Sequence, residues 1–489
     1  MVRYRVFPVF RYCGQFRSSR STFSLEARAS RPQRSVIGID SMPGSARANA
    51  LVCGRDARGP NSNFELIFSL ADAFVLPYSE TGFFYPVYEL IRAGVYAKRA
   101  TRFVLCFVMS LESLLSLPLE QQVGQFFYIG LTGPQIDAET RALIQEVQPG
   151  GVIIFGRNVT GPQQLRDLLD GVRELLPSDP LLGIDQEGGL VDRLRKIFTP
   201  MPSARTIREH GDLAGARELG RITGEALRLL GFNMNFAPVM SIMTDERDLL
   251  SNGLYSRSFG RSPGEVLGYT TVYLRGLQGT GIVGCLKHFP GIGAGEVDSH
   301  EQMPMVSLTH DDLMAQDLAP YIELFQRKDD RVRCVMVSHG GFPNIDIFKG
   351  VTGGLLEPAS LSHNIVTNLL REELSYQHLV VTDDLEMGAI AKHCEIEAAV
   401  VRAFLAGNDM MLICARPDII RRGYHSLLGV ARDGKLTRDR LRSSLKRIAE
   451  MKSIIKLPPA FDSEQFQKLS EETAVLNEKL NYKYGGTIQ

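Results

Sequence analysis

The chain has 489 residues, 44% apolar and 22% charged, so it can bury a substantial core and is neither disordered nor fibrous as a whole. Its formal net charge of zero divides into +8 for residues 1–108 and −8 for the remainder. The mildly acidic main part lacks the basic surface expected of a nucleic-acid binder, and no uncharged apolar run approaches the roughly 18 residues of a membrane span.

Cysteine usage indicates the compartment. The seven cysteines are scattered and show neither CxxC nor CxxH spacing. This pattern is typical of free thiols in a reducing environment rather than of a disulfide framework or a zinc site. We therefore expect a soluble cytoplasmic protein, without a metal site.

Residues 1–108 form an irregular N-terminal extension. The first 35 residues hold eight Arg and one acidic residue, Glu26, without a regular apolar period. Such a composition is typical of a transit peptide. A disordered or spurious extension from a misplaced start codon, and a small accessory domain, are the alternatives.

From residue 109 onward the pattern becomes regular. Short apolar runs, most of them continuous as in strands buried on both faces, alternate with amphipathic stretches such as 162–176, 214–230, 263–279 and 362–374. Eight strand and helix units over 109–455 predict an α/β fold, a (β/α)8 TIM barrel, with a doubly wound sheet as the alternative. The predicted strands are 127–131, 152–155, 181–185, 233–238, 282–287, 334–338, 379–382 and 409–413.

The end of the chain is helical in pattern. Two helices are predicted at 417–433 and 437–455. The C-terminal tail, residues 456–489, is polar, and we expect a short helix there followed by a frayed terminus.

Charged and polar residues follow the predicted strands. In a TIM barrel the carboxyl ends of all strands meet at one face, where the chemistry takes place. Each residue taken singly has an ordinary explanation as a strand end, a turn or a helix cap, but their joint occurrence favours a site. The residues are Asp185, Glu187, Lys287, His288, His339, Asp383 and Asp384.

A Gly- and Pro-rich loop follows the fifth predicted strand and carries Asp298 and His300. In extended backbone, positions i and i+2 face the same way, so these two side chains can meet. A carboxylate beside an imidazole orients one ring nitrogen and raises the pKa of the histidine, which makes a proton donor near neutral pH. A solvated loop with an incidental Asp and His is the alternative.

Several motifs, taken together and in this order, resemble glycoside hydrolase family 3, in particular its β-N-acetylglucosaminidase branch. The resemblance runs from about residue 117 to residue 451. The motifs are GVIIFGRN at 151–158, DQEGG at 185–189 with Arg193, NFAPV at 235–239, RSFG at 257–260, KHFPG at 287–291, VSHGGFP at 337–343 and VTDDLEM at 381–387.

The resemblance implies roles for particular residues. It implies that Asp383 is a nucleophile that forms a glycosyl-enzyme, and that His300, paired with Asp298, is the acid and base of a retaining double displacement. Asp384 is expected to support the site or to cap a helix. The positions expected to hold the sugar hydroxyls and the N-acetyl group are Asp185, Arg193, Arg257, Lys287 and His288.

The length of the chain and three departures from the family pattern bear on the source of the proton donor and on the sugar pocket. Relatives acting as β-glucosidases take the acid/base from a second domain after the barrel, and only about 34 residues follow position 455. The proton donor is therefore expected from the barrel itself. Ile292 stands where the family usually has a second His, Ser241 where an Asp is usual, and Leu190 where an Arg is common. These departures concern the dynamics of the loop and the shape of the sugar pocket, and none removes a proposed catalytic group.

The expected activity is hydrolysis of a terminal β-linked N-acetylglucosamine, from peptidoglycan fragments, by a monomeric exo-acting enzyme. Phosphorolysis, a β-glucosidase activity or a non-catalytic sugar-binding barrel are the alternatives. No Walker loop and no GxGxxG after a strand are present, so we expect no cofactor. The expected partner is a carbohydrate, without nucleic acid or membrane.

Overall fold

A computed structural model describes residues 111–250, 252–327, 332–346 and 356–485. The predicted N-terminal extension, residues 1–108, lies outside the described residues, as do the last four residues of the tail. None of the described helices is both long and apolar enough to cross a membrane. The described cysteines, Cys285, Cys334, Cys394 and Cys414, are free thiols.

Eight parallel strands close into a barrel in the order β1-β2-β3-β6-β7-β8-β9-β10, with β10 paired to β1. The predicted barrel is confirmed, and the doubly wound alternative is wrong because the sheet has no open edge. A short antiparallel hairpin, β4 and β5, follows β3. The strands are β1 Phe127–Gly130, β2 Gly151–Ile154, β3 Leu181–Ile184, β4 Gln186–Gly188, β5 Val191–Asp192, β6 Met234–Asn235, β7 Val283–Phe289, β8 Cys334–Val337, β9 Leu379–Asp384 and β10 Met410–Ile413.

Three strands end two residues or more away from their predicted ends. One of them, β9, continues two residues beyond its predicted end, through Asp383 and Asp384. Strand β7 continues through Lys287 and His288 to Phe289, two residues beyond its predicted end. Strand β6 holds only Met234–Asn235, because Pro238 has no N–H with which to extend the ladder. The longer β7 places Lys287 and His288 within the strand, at the barrel mouth.

Helices surround the barrel. Those predicted at 162–176, 214–230, 263–279, 417–433 and 437–455 are present within a residue or two, and the one predicted at 362–374 is a π-helix over Asn364–Glu373. The α-helices are α1 Leu111–Leu115, α2 Leu119–Gly124, α3 Ala138–Val147, α4 Pro162–Leu175, α5 Ala204–Glu209, α6 Leu213–Leu230, α7 Pro263–Gly279, α8 His310–Ala315, α9 Ala319–Gln326, α10 Pro343–Asp346, α11 Gly388–Ala391, α12 Ile396–Ala406, α13 Pro417–Arg432, α14 Arg438–Ile454 and α15 Ser463–Lys479.

Local sequence fixes several helix ends. Ser262 caps α7 by accepting from the amide of Glu265, and Pro263 occupies the first helical position, where its missing N–H has no cost. Helix α6 ends at Gly231, whose φ of 103° lies in the left-handed region that favours glycine. Because α6 stops there, the chain turns directly into β6.

The barrel interior is a packed core. The ring of Tyr128 meets that of Phe236 edge to face, with ring centres 5.3 Å apart. A Cβ at Gly183 would lie 2.5 Å from the Tyr128 hydroxyl, and one at Gly151 would lie 2.6 Å from its ring. The two aromatic rings therefore fill the space that the two glycines leave, and the barrel is closed beneath its mouth.

The C-terminal tail differs from the prediction. Its helix α15 has 17 residues, as many as α7, so the expectation of a short helix is wrong. Phe466 packs on Phe198, with ring centres 5.1 Å apart, and Ser470 accepts from the amide of Thr199 at 2.9 Å. The apolar positions of α15 are few, and the helix is stabilised by packing on the barrel rather than by its own pattern.

Candidate active site

The carboxyl ends of β3, β7 and β9 bring charged residues of distant sequence together. Asp185 directly follows β3, Lys287 and His288 lie in β7, and Asp383 lies in β9. The hairpin after β3 adds Glu187. The predicted convergence of these strand ends at one mouth is confirmed.

A four-residue ion network lies in this mouth. The ammonium of Lys287 is 2.6 Å from both Asp185 Oδ1 and Glu187 Oε1. Arg257 donates from Nε and Nη2 to the two carboxylate oxygens of Glu187, at 2.8 and 2.9 Å. Glu187 thus joins two of the residues predicted to bind sugar.

Charge pairing governs ionisation in the network. Burial alone would raise the pKa of Glu187, but Arg257 and Lys287 lower it well below its usual range. Burial likewise opposes the charge on Lys287, yet Asp185 and Glu187 raise its pKa. Glu187 and Lys287 are therefore charged at neutral pH, and charge-assisted hydrogen bonds fix the geometry of the network.

Glu187 was predicted to be one of the strand-end residues that converge on the site, but no role was assigned to it. Its side chain is only 6% exposed, and its partners lie 70 and 100 positions further along the chain. The one sequence signal for it was its position two residues after Asp185. The sequence did not predict that Glu187 would form ion pairs with Lys287 and Arg257.

We expect Glu187→Gln to destabilise the protein strongly, because Lys287 and Arg257 would keep buried charges without their shared anion. Breaking a buried pair in this way costs about 3–5 kcal/mol. The free energy of unfolding, measured by urea denaturation, should fall by that amount. The matched control is Glu209→Gln, which removes an exposed partner of Arg205 and should cost less than about 1 kcal/mol. Equal losses in the two variants would contradict the expectation.

Asp383 is a buried carboxylate held from several sides. Its Oδ1 accepts from the amide of Asp384 at 2.9 Å, and its Oδ2 lies 3.8 Å from His288 Nε2. Burial would raise its pKa, but the hydrogen bond from the Asp384 amide and the charge of Lys287 act against burial, and the pKa of Asp383 is lowered. Asp383 is therefore ionised at neutral pH.

His288 is neutral. Burial, together with the nearby Lys287 and Arg257 charges, lowers its pKa to about 3, although Asp383 acts in the opposite direction. Its Nδ1 is buried and has no hydrogen-bond partner among the described residues. A buried polar atom of this kind is costly unless a ligand satisfies it.

His339 supports the backbone next to Asp383. It is fully buried, and burial lowers its pKa, so the ring is neutral. Its Nε2 donates to the carbonyl of Asp384 at 2.9 Å, and its Nδ1 accepts from the Ser360 hydroxyl at 2.8 Å. The sequence placed His339 at a strand end without assigning it this role.

Asp384 does not cap a helix. Its Oδ1 accepts from the amide of Glu386, whereas Met387 occupies the N-cap position of α11 without a side-chain hydrogen bond. The helix-cap alternative for Asp384 is therefore wrong. Burial raises the pKa of Asp384 to about 7, so Asp383 and Asp384, adjacent in sequence, differ in charge at mildly acidic pH.

The predicted contact between Asp298 and His300 is confirmed. Asp298 Oδ1 lies 2.7 Å from His300 Nδ1 and accepts from the His300 amide at 2.9 Å. The hydrogen bond that His300 donates to Asp298 raises the pKa of His300, and the charge of Asp383 adds to this effect. The side chain of His300 is 70% exposed, so solvent reaches the ring.

Arg193 lies on the loop after β5. Its guanidinium is 5.7 Å from the centre of the Phe155 ring, and its amide donates to Gln186 Oε1. Among the described residues it makes no hydrogen bond or ion pair with the Glu187 network. Its Nε is buried without a partner in the same part of the structure.

The three departures from the family pattern have different surroundings. Ile292 is buried in an apolar cluster that includes Phe342. Ser241 is buried, and its hydroxyl has no partner among the described residues. Leu190 is 54% exposed on the hairpin turn. The positions where the resemblance led us to expect a His, an Asp and an Arg thus hold a packed isoleucine, a buried serine and an exposed leucine.

Comparison with known proteins extends these observations. The family model for the glycosyl hydrolase family 3 N terminal domain matches residues 118–451. A β-hexosaminidase A from Pseudoalteromonas piscicida is 33% identical over 339 residues, 65% of this chain and 55% of that relative. A β-hexosaminidase from Methylococcus capsulatus is 31% identical over 59% of this chain and 82% of its own length.

A solved structure shows the same architecture. The family 3 β-N-acetylglucosaminidase from a Paenibacillus species aligns with a TM-score of 0.65 and 32% identity, covering 74% of this chain and 69% of that chain. The chain spans little more than half of the Pseudoalteromonas relative, so that whole protein contains further sequence. The matched range includes every strand of the barrel and every residue of the candidate site, and the chain belongs to glycosyl hydrolase family 3.

Proposed function

We propose that this chain is a retaining, exo-acting β-N-acetylglucosaminidase. The observation that carries the proposal is the pairing, at one barrel mouth, of an ionised carboxylate, Asp383, with an imidazole whose pKa is raised, His300. The names of the related β-hexosaminidases and of the Paenibacillus structure support the choice of sugar.

In the first step, an Asp383 oxygen attacks the anomeric carbon while the bond to the leaving oxygen breaks. His300 Nε2–H donates its proton to that oxygen, and a glycosyl-enzyme forms on Asp383. In the second step the neutral His300 takes a proton from water. The resulting hydroxide oxygen bonds to the anomeric carbon and Asp383 leaves, so two inversions give net retention.

The surrounding residues suit sugar binding. Asp185 can accept from sugar hydroxyls, whereas Lys287 and Arg257 can donate to oxygens, with the Glu187 carboxylate holding both cations in place. The unpaired His288 Nδ1 and Arg193 Nε are further polar atoms that a bound sugar can satisfy. We assign Asp185, Arg193, Arg257, Lys287 and His288 to substrate binding. We also propose that peptidoglycan fragments in the cytoplasm are the natural source of the sugar.

The decisive experiment follows the hydrolysis of a chromogenic N-acetylglucosaminide by NMR. The first-formed product should be β-N-acetylglucosamine, which reports the sugar and the stereochemistry together. Formation of an α product, or saturable binding without turnover, would refute the proposal.

Because a histidine rather than a carboxylate activates the acceptor in the second step, phosphate can replace water there. Sugar-1-phosphate formed in phosphate buffer would assign the chain as a phosphorylase.

The pH dependence of kcat/KM should depend on Asp298. Because His300 must be protonated in the first step, activity falls as pH rises through its pKa, which Asp298 raises above the usual value of about 6.5. We expect Asp298→Asn to move this alkaline limb to lower pH. The control is Glu301→Gln, which removes the neighbouring charge and should leave the limb in place. An unchanged limb in Asp298→Asn would contradict the assignment.

A further inference from the structure

The loop that carries the Asp298–His300 dyad is held by two sets of hydrogen bonds, which we call its fastenings. We define this dyad loop as residues 290–301, between the end of β7 and the turn after His300. One set of hydrogen bonds comes from the connection between β6 and α7, and the other comes from the start of α11, after β9. Loops of this kind are mobile unless specific contacts hold them, so these contacts determine where His300 stands.

The first fastening is the side chain of Asn252. Its amide nitrogen donates to the carbonyls of Gly293 and Gly295, both at 3.0 Å. Its Oδ1 accepts from the amide of Leu254 at 3.1 Å, which fixes the orientation of the carboxamide. Asn252 is 5% exposed, so every hydrogen bond it makes is shielded from water.

The second fastening is the start of α11. The amide of Gly388 donates to the carbonyl of His300 at 3.1 Å, and that of Ala389 donates to Ser299 at 3.3 Å. A Cβ at Gly388 would lie 2.6 Å from the carbonyl oxygens of His300 and Glu301, so the approach requires glycine. The His300 end of the loop is thereby tied to α11, which follows the strand that carries Asp383.

The base of the dyad loop rests on a buried ion pair. Arg247 donates to Asp317 at 2.9 Å, and both side chains are buried. A Cβ at Gly291 would lie 2.6 Å from the Asp317 side chain, and one at Gly293 would lie 3.3 Å from Arg247 Nη1. The loop packs tightly here. Among the described residues, however, only Asn252 donates hydrogen bonds to the carbonyls of Gly293 and Gly295.

We propose that Asn252 is a positioning residue for the acid/base His300. By binding two carbonyls that lie three and five residues before Asp298, it holds the first half of the dyad loop over the mouth, while α11 holds the second half. Without Asn252 the first half of the loop loses these two hydrogen bonds, while the second half keeps its contacts with Gly388, Ala389 and Lys392. His300 then samples positions away from the leaving oxygen. Small misplacements of a catalytic group lower the rate strongly. This inference rests on the proposed function.

The test compares two N-acetylglucosaminides in the full-length protein. One has an alkyl leaving group, which requires protonation, and one has a dinitrophenyl group, which leaves without a proton. For Asn252→Ala we expect kcat/KM, which reports the first step, to fall about 10- to 100-fold with the alkyl glycoside and less than about threefold with the dinitrophenyl glycoside, because only the alkyl leaving group needs the proton in that step. With the dinitrophenyl glycoside kcat should fall together with KM, because the displaced His300 also activates water less well in the second step.

Two further variants make the test selective. Asn252→Asp keeps the shape and the contact with Leu254 but loses both donors, so it should show the same selective loss if Asn252→Ala fails to fold. Asn344→Ala removes a comparable amide, which donates to the carbonyls of Ser307 and Leu308 beyond the dyad in the same connection. It should show no selective loss with the alkyl glycoside.

The outcomes separate the two proposals. Equal losses with both glycosides, or no loss, would overturn the role of Asn252. Amide hydrogen exchange in residues 290–301 should also be faster in Asn252→Asp than in the wild type, and unchanged exchange would overturn the role as well. A wild-type protein that turns over neither glycoside would instead refute the proposed function.

Discussion

Asp383→Asn is expected to lower kcat by about four orders of magnitude or more, because the amide cannot form the glycosyl-enzyme. The variant should fold, since the amide is nearly isosteric and the backbone contacts of Asp383 and Asp384 are kept. The measurement is the steady-state rate with a chromogenic N-acetylglucosaminide. A fluorosugar substrate analogue that labels the wild type on Asp383 should leave this variant unlabelled.

The matched control is Asp384→Asn, one position along the same strand. Asp384 has a pKa of about 7, so its neutral form is already present near neutral pH, and its carbonyl, not its carboxyl, binds His339. We expect its kcat to stay within about tenfold of the wild type. Undiminished turnover in Asp383→Asn, or an equal loss in both variants, would end the assignment of Asp383 as nucleophile.

His300→Ala is expected to give the second largest effect, and the effect should depend on the leaving group. With an alkyl glycoside, loss of the general acid should lower kcat/KM by about 10²- to 10⁴-fold. With a dinitrophenyl glycoside the first step needs no proton, and the second step becomes slow because no base activates water. The glycosyl-enzyme should then accumulate, and mass spectrometry of the intact protein measures it directly.

The control for His300→Ala is His310→Ala. His310 lies further along the same connection, at the start of α8, where it pairs with Glu373 rather than with site residues. It should retain wild-type rates with both glycosides. If His300→Ala loses activity equally with both substrates, or accumulates no covalent intermediate, His300 is not the acid/base of this reaction.

The predictions for His300 and Asn252 are linked, because Asn252 is proposed to position His300. His300→Ala removes the proton donor, whereas Asn252→Ala leaves the donor present and displaces it. The leaving-group dependence of Asn252→Ala should therefore resemble that of His300→Ala at smaller amplitude. Asp383→Asn should show no such dependence, because the nucleophile is required whatever group leaves.

The sequence by itself determined the barrel. Continuous apolar runs such as 334–338 predict strands buried on both faces, and the amphipathic stretches between them predict crossover helices. The contact between Asp298 and His300 was also predicted, from an i, i+2 spacing in extended backbone, although the structure makes it in a turn, where the Asp298 carbonyl accepts from the amide of Glu301. In each case the signal is local, and local geometry is repeated wherever the same pattern occurs.

The tertiary structure alone decided which distant groups became partners. Glu187 shares its carboxylate between Lys287 and Arg257, and Asn252 reaches two carbonyls about 40 positions further on. Such contacts depend on the register in which neighbouring strands pair and on the paths of the loops after them, and neither leaves a periodic trace in the chain. The length of α15 follows the same rule, since packing against the barrel stabilises a helix whose own apolar pattern is sparse.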